Sequence, residues 1–495
     1  MVKRSRMSGT AIIAAAVICG VGAGCQNSND KAKDYRTFYQ TGQHPAAVLA
    51  VEKLAHDSVM KKESGILEVK PMDDWSRDAI FYLLEEGSVL RAAGRIEDSN
   101  ESFILASKKM ETVWERPTVE VSKEVQALAD NLGALQYDGF AYDHVMANTY
   151  LCMNYMQLGD LASARTAADQ MEKLQKQYIE KRAGKISDQK EKLSKDRAET
   201  SAAESQEVTS GTAQQYATVD ALVTQYSGYA AYRNPYSTWL YGVCMMAAPS
   251  DVDRVGDLGN AKAALEIAAG MAPDNSTVKD DLACASDAMA GKQLPPVTYV
   301  ILENGEAPIR GDFILRFPVP TGDIKTGNLT YVKAAFPTLV MRDAKLPYVE
   351  VGADGKVVRT EPLCNIDAII AREFKDELPL VITKTIISAA LKATATDVAR
   401  RAADKSGGGM AGLAMLAVGV VYQEITSKAD LRQWATLPKE FQVCKVATPA
   451  DRTIAVSTPN GQTTNVIVAP GTVNVVFVKS VLPTSPMIIS QARLQ

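Results

Sequence analysis

The chain has 495 residues, 46% hydrophobic and 23% charged, an ordinary globular composition with room for roughly two to four domains. Its net charge of −4 argues against a nucleic-acid partner, which needs a basic patch. The three histidines, His44, His56 and His144, all lie in the first third. The remainder therefore cannot build a Ser-His-Asp centre or a His-rich zinc site from its own residues. No pair of acids stands out from the solvated background, so no catalytic, cofactor or metal residue is assigned, and the expectation is a protein that is not an enzyme.

Residues 1–24 read as a cleaved export signal. Lys3, Arg4 and Arg6 give a positive start, Thr10–Val21 is small and apolar, and Gly22-Ala23-Gly24 leads into Cys25. The apolar run is shorter than the ~20 residues a bilayer span needs. A cysteine directly after small residues resembles the lipobox of bacterial lipoproteins, which implies acylation of Cys25 and anchoring by that lipid. The alternative is plain secretion after cleavage at Gly24, because Gly22 stands where the lipobox usually has Leu. Gln26 stands where Asp would retain a lipoprotein at the inner membrane, so the expected address is the outer membrane, facing the periplasm. Residues 25–34 read as a polar tether. Loss of three basic residues with the signal takes the net charge from −4 to −7. Five cysteines remain beyond Cys25: Cys152, Cys244, Cys284, Cys364 and Cys444. They are odd in number, widely spaced and without a CxxC, and no pairing follows from them.

Residues 35–292 read as helical and carry an internal repeat. After Gly42 come Ala47, Val51 and Leu54, at offsets 5, 9 and 12. The same offsets give Ser99, Phe103 and Ala106 after Gly94, and Ala164, Ala168 and Met171 after Gly159. They give Ala264, Ala268 and Met271 after Gly259. These positions share one face of the second helix of each pair, with a small residue where the helices approach. Gly87, Leu90, Leu151, Cys152 and Tyr155 supply matching positions on the first helices. The pattern resembles the tetratricopeptide repeat, with insertions between units and without its usual closing proline after the first three, Pro273 following the fourth slightly early. A generic helical bundle is the alternative. Lys173–Arg197 is highly charged, and reads as a solvated helix extension or a protruding arm. Tyr216–Tyr232 resumes helix towards Trp239.

From Leu294-Pro295-Pro296 the pattern turns to strand, over residues 293–495. Val297–Leu302, Phe313–Val319, Leu329–Ala335 and Tyr348–Val351 are strand-like, and Ala353-Asp354-Gly355 predicts a hairpin into Lys356–Thr360. Asn365 is placed to cap a helix from Ile366, the first of the helices expected near 366–425, with Leu378–Ala403 amphipathic. Gly407-Gly408-Gly409 lacks the Gly-Lys-Ser/Thr ending of a phosphate loop, and Asp404-Lys405-Ser406 before it is in the wrong order. Met410–Val421 spans about 18 Å as a helix, too short to cross a bilayer. Phe441–Val446, Thr453–Ser457, Val466–Val468 and Val473–Val478 complete the strands. The fold class expected is α+β: a tetratricopeptide-like helical domain, then a small antiparallel β-rich domain with flanking helices.

Three stretches carry a wider resemblance. Tyr137-Asp138-Gly139-Phe140-Ala141-Tyr142-Asp143 runs into an alanine-containing helix. Pro296–Gly305 is a strand ending in Asn-Gly. Ala429-Asp430-Leu431-Arg432-Gln433-Trp434-Ala435-Thr436-Leu437-Pro438 is the most specific. Together they are similar to a family of bacterial lipoproteins with tetratricopeptide-like N-terminal halves, to which no activity is assigned. Its members tend to be encoded beside lipoproteins similar to activators of penicillin-binding proteins. The resemblance implies an envelope role and singles out Tyr137, Gly139, Asp143, Asp430, Arg432, Trp434 and Pro438 as structural or partner-contacting. The function expected is a lipid-anchored, non-enzymatic scaffold that binds another envelope protein. The alternative is a cell-wall glycan-binding or hydrolytic protein acting through the β-rich part.

Overall fold

A computed structural model describes residues 28–63, 66–115, 136–180, 233–320, 329–378, 381 and 429–495. Cys25 and the signal, most of the Lys173–Arg197 segment, Tyr216–Tyr232, most of Leu378–Ala403, Gly407–Gly409 and Met410–Val421 lie outside them. The fold is α+β.

The helices come in pairs: α1 (Ser28–Gln40) with α2 (His44–Val59), α3 (Ala79–Ala92) with α4 (Ile96–Trp114), and α5 (Ala141–Leu158) with α6 (residues 161–180). The three connecting turns are alike. Gly42, Gly94 and Gly159 adopt φ of 74°, 78° and 75°, a left-handed conformation that costs glycine little. Each glycine N–H bonds the carbonyl three residues back, and the next N–H bonds the carbonyl five back. That next residue (Gln43, Arg95 or Asp160) starts the second helix, its carbonyl accepting from Ala47, Ser99 or Ala164. The small residue five after the glycine is thus the first to close a helical turn, and all three are fully buried. Gly87 shows the matching close approach on α3, since a Cβ there would lie 2.6 Å from the Phe103 ring on α4.

The fourth predicted unit needs correction. Gly259 is not at a turn but inside α8 (Arg254–Met271), which pairs with α7 (Pro235–Ala247). The helix starts at Asp253, whose Oδ1 accepts from Gly256 N at 3.1 Å. The predicted alignment is therefore displaced by seven residues, close to two helical turns. Such a displacement keeps the face, which is why Ala264 and Ala268 are buried nonetheless. A helix α9 (Ser276–Met289) follows. One element of the helical half is not helix: β1 (Met60–Glu63) and β2 (Ile66–Val69) pair antiparallel between α2 and α3.

The β-rich part forms two packed sheets and a separate hairpin. A five-stranded sheet has β3 (Val297–Asn304) at its centre. On one side lie β9 (Glu440–Ala447) and β8 (Glu361–Asn365), on the other β12 (Val473–Ser480) and β13 (Ile488–Arg493). A four-stranded sheet contains β11 (Thr463–Ile467), β10 (Thr453–Ser457), β6 (Glu350–Ala353) and β7 (Lys356–Arg359). The long hairpin pairs β4 (Ile309–Pro320) with β5 (Leu329–Val340). Asn365 caps helix α10 (residues 366–378), its Oδ1 accepting from Ala368 N at 3.2 Å. The expectation of purely antiparallel strands fails at one pair: β3 and β12 run parallel, Val297 opposite Val473 through Asn304 opposite Ser480. Parallel neighbours need a long connection, and here residues 305–472 supply it.

Strand alternation then sorts two cores. Val300, Leu302, Cys444, Val446, Val476 and Val478 face the second sheet and meet Val351, Ile454 and Val456. Tyr299, Ile301, Phe441, Val443, Val475 and Phe477 face the helices and share one continuous core with them. The order of layers is helix, sheet, sheet. The helices that meet the sheet are the first of each pair and α9: every residue of α3 and of α7 is buried, and Asp281 of α9 bonds Tyr299 and Lys445 on the sheet.

Candidate functional site

The residues singled out by resemblance converge on the joint between the helices and the β-rich part. Arg432, 2% exposed, is the hub. Its Nε and Nη2 hold both oxygens of Asp430, at 2.9 and 2.6 Å. Its Nη1 reaches Asp78 Oδ1 at 2.8 Å, just before α3. Burial works against its charge, yet Asp430 and Asp78 raise its pKa further. The guanidinium lies 5.4 Å from the ring centre of Tyr137. Tyr137 in turn donates its hydroxyl to Asp143 Oδ2 at 2.6 Å. The same oxygen takes the Phe140 N–H at 2.9 Å, so Asp143 reaches back to cap the start of α5. Gly139 bends the chain into that cap at φ 77°, with Met110 against it. Two sequence motifs almost 300 residues apart thus form one cluster.

Trp434 packs on the helices, within 5.6 Å of Phe103 and 5.8 Å of Tyr150 between ring centres. Its indole N–H meets Ser88 Oγ at 2.9 Å and Thr436 Oγ1 at 3.1 Å. Glu85 on α3 accepts from Ala435 N at 2.8 Å, Thr436 Oγ1 at 2.6 Å and Arg36 at 3.1 Å. Pro438 is buried just ahead of β9.

Sequence reading missed a second cluster a few residues away. Glu303 on β3, fully buried, takes Arg91 of α3 at 2.8 Å, Lys479 of β12 at 2.9 Å and the Tyr150 hydroxyl at 3.1 Å. Burial alone would raise the Glu303 carboxyl, but Arg91 and Lys479 hold it below its usual range. Glu303 in turn keeps the buried Lys479 ammonium charged. A signal existed: Glu303 and Lys479 are the charged residues of two apolar strands, and they stand opposite each other in the parallel register. A third fastening has Asp281 of α9 accepting from Trp239 at 2.8 Å, Tyr299 at 2.7 Å and Lys445 at 2.6 Å.

Chemically these clusters hold charge still. In them buried ions meet counterions and hydrogen-bond donors at short range, although burial still raises the Asp281 carboxyl. Asp143 differs, being pushed up to about 7, first by burial and against the pull of Tyr137 and Phe140. Its folded value lies above the ordinary one, so the folded protein holds the extra proton between about pH 4 and pH 7. Asp143 therefore adds stability at low pH that is lost as pH rises through 7. The expected result is a wild-type melting temperature that drops between pH 5 and pH 7.5 relative to Asp143→Asn. The difference should be on the order of 2–3 kcal/mol. Comparing the two proteins at each pH cancels His144, which burial drives down to about 4 and which acts with the opposite sign.

Among the described residues, no group of three His, Cys, Asp or Glu side chains is placed to hold a metal ion. No described helix is long and apolar enough to cross a membrane. The five cysteines are free thiols, four of them buried. No protein-family model, no curated protein and no solved structure matches the chain.

Proposed function

We propose that the protein is a lipid-anchored envelope lipoprotein, held through Cys25 at the outer membrane and facing the periplasm, that works by binding another envelope protein. In this reading the three glycine-turn helix pairs are degenerate tetratricopeptide-like repeats. The observation that carries it is the use made of the two repeat faces. Of the first helices, α3, α5 and α7 are spent inside the molecule against the chain's own sheet and α1 lays one face on it, so the peptide groove of a standard repeat array is already filled. The second helices face outward, with Leu49 of α2 72% exposed and Ile267 of α8 40% exposed. A partner would be met on that outer face, in a role such as cell-envelope assembly.

The test is crosslinking and pull-down from detergent-solubilised envelope, with mass spectrometry of the mature N-terminus. The expected result is an acylated Cys25 and a stoichiometric partner. Leu49→Lys with Ile267→Lys should lose that partner without lowering the melting temperature. An unmodified Cys25 would overturn the anchor. Cleavage of peptidoglycan by the purified protein, abolished by changing one carboxylate without loss of stability, would overturn the scaffold in favour of a cell-wall hydrolase.

A further inference from the structure

Helices α5 and α7 lie side by side and run in the same direction. Asn234 Nδ2, just before α7, donates to Met146 Sδ at 3.1 Å. Three residues further along each chain, Thr149 Oγ1 and Ser237 Oγ share a hydrogen bond at 2.8 Å. Steps of three and of seven residues keep a helical face. Cys152, three beyond Thr149, and Cys244, seven beyond Ser237, therefore both point back into this seam. Their thiols are hydrogen-bonded to each other there. Both side chains are completely buried, at 0% exposure. The other three thiols have other neighbours. Cys364 on β8 donates to Asn234 Oδ1 at 3.3 Å, Cys284 on α9 lies 3.8 Å from the Lys445 ammonium, and Cys444 faces the second sheet.

We propose that Cys152 and Cys244 are a disulfide site, oxidised in the exported protein to a bond that staples α5 to α7. The proposal rests on the export reading in one respect, since an oxidant must be present where the chain folds. The step is thiol–disulfide exchange. One cysteine, as its thiolate, attacks a sulfur of a disulfide donor such as oxidised glutathione or a thiol oxidoreductase, and one thiol leaves. The second cysteine then displaces the remaining thiol. Between them the two protein thiols lose two protons and two electrons, and the donor takes these up as two free thiols. Burial sets the order of events. The attack needs a thiolate, and in the folded protein the Cys152 thiol is held well above its usual range by its bond to Cys244 and by burial. An oxidant also has no approach to a completely buried sulfur. The bond therefore forms while the chain folds, before α7 closes on α5, and the same burial then shields it from reductants. It closes the long stretch from 152 to 244, which holds α6 and the charged segment after it. A crosslink across a long stretch restricts the unfolded chain more than one across a short stretch.

The experiment is non-reducing peptide mapping by mass spectrometry, with free thiols alkylated first. It is run on the full mature chain refolded from urea with reduced and oxidised glutathione, and on the chain taken directly from cells. In both, a Cys152–Cys244 peptide pair is expected, lighter by two hydrogens than the two thiol peptides, with Cys284, Cys364 and Cys444 alkylated. The oxidised form should unfold at higher urea than the same chain refolded under reductant, and Cys244→Ala should remove that difference. Alkylated Cys152 and Cys244 after refolding with oxidised glutathione, or linkage of either one to a different cysteine, would overturn the site. Equal unfolding of the oxidised and reduced wild-type forms would overturn the staple. A pair formed on refolding but absent from the chain taken from cells would support the site and overturn export into an oxidising compartment.

Discussion

Glu303→Ala is expected to destabilise the protein by about 3–5 kcal/mol, a large fraction of a typical folding free energy of about 5–15 kcal/mol. The reason is what it leaves behind. Arg91 and Lys479 both rely on Glu303, at 2.8 and 2.9 Å, and both are buried. Without the carboxylate, two like charges remain in a low-dielectric joint with no counterion. The same triad replaced as a unit should behave differently. Glu303→Leu, Lys479→Met and Arg91→Met together remove the charges with their partner, and buried ion pairs exchanged for apolar side chains are often neutral. The measurement is urea unfolding of the single and triple variants. A single variant as stable as the wild type would show that the triad is not closed in solution. Because Glu303 sits on the sheet and Arg91 on the helices, loss of the joint should be felt in both parts. One shared transition, moved to lower urea, is the expected form of the result.

Much of this architecture can be read locally. Thr453–Ser457 was expected as a strand and is one, residue for residue. The Asp354-Gly355 turn was readable because both residues tolerate positive φ, and both adopt it, at 47° and 75°. The turns at Gly42, Gly94 and Gly159 were readable because a glycine turn and a small residue five later are consequences of one hydrogen-bond pattern. What was not legible depends on pairing between distant segments. A parallel β3–β12 neighbour leaves no trace in the periodicity of either strand, since alternation reports which face is buried and not which strand is beside it. The extra register at Gly259 shows the converse limit, because helical periodicity cannot tell a residue from one seven positions away. The clasp itself was half visible. Asp430 and Arg432 could be matched to each other at short range, but Asp78 and Tyr137 reach them only through the tertiary fold.

Trp434→Ala separates the two roles that residue can have. As a structural anchor it fills the space between Phe103, Tyr150 and the chain before β9, with no exposed surface. Removing a fully buried tryptophan leaves a cavity the surroundings cannot close, at about 3–5 kcal/mol. It also strips a donor from Ser88 and Thr436, whose hydroxyls both face the indole N–H. Trp434→Phe keeps most of the ring and loses the N–H, so it should cost only about 1–3 kcal/mol, from the buried hydroxyls left without their donor and the smaller ring. The ordering Ala well below Phe below wild type, read from thermal or urea unfolding, is the signature of packing. A recognition residue would give the opposite pattern: loss of partner capture with the melting temperature unchanged in both variants. That outcome would also contradict the burial of Arg432 and Pro438 on either side, since a partner could reach Trp434 only by opening the joint that Glu85, Asp78 and Arg432 hold closed.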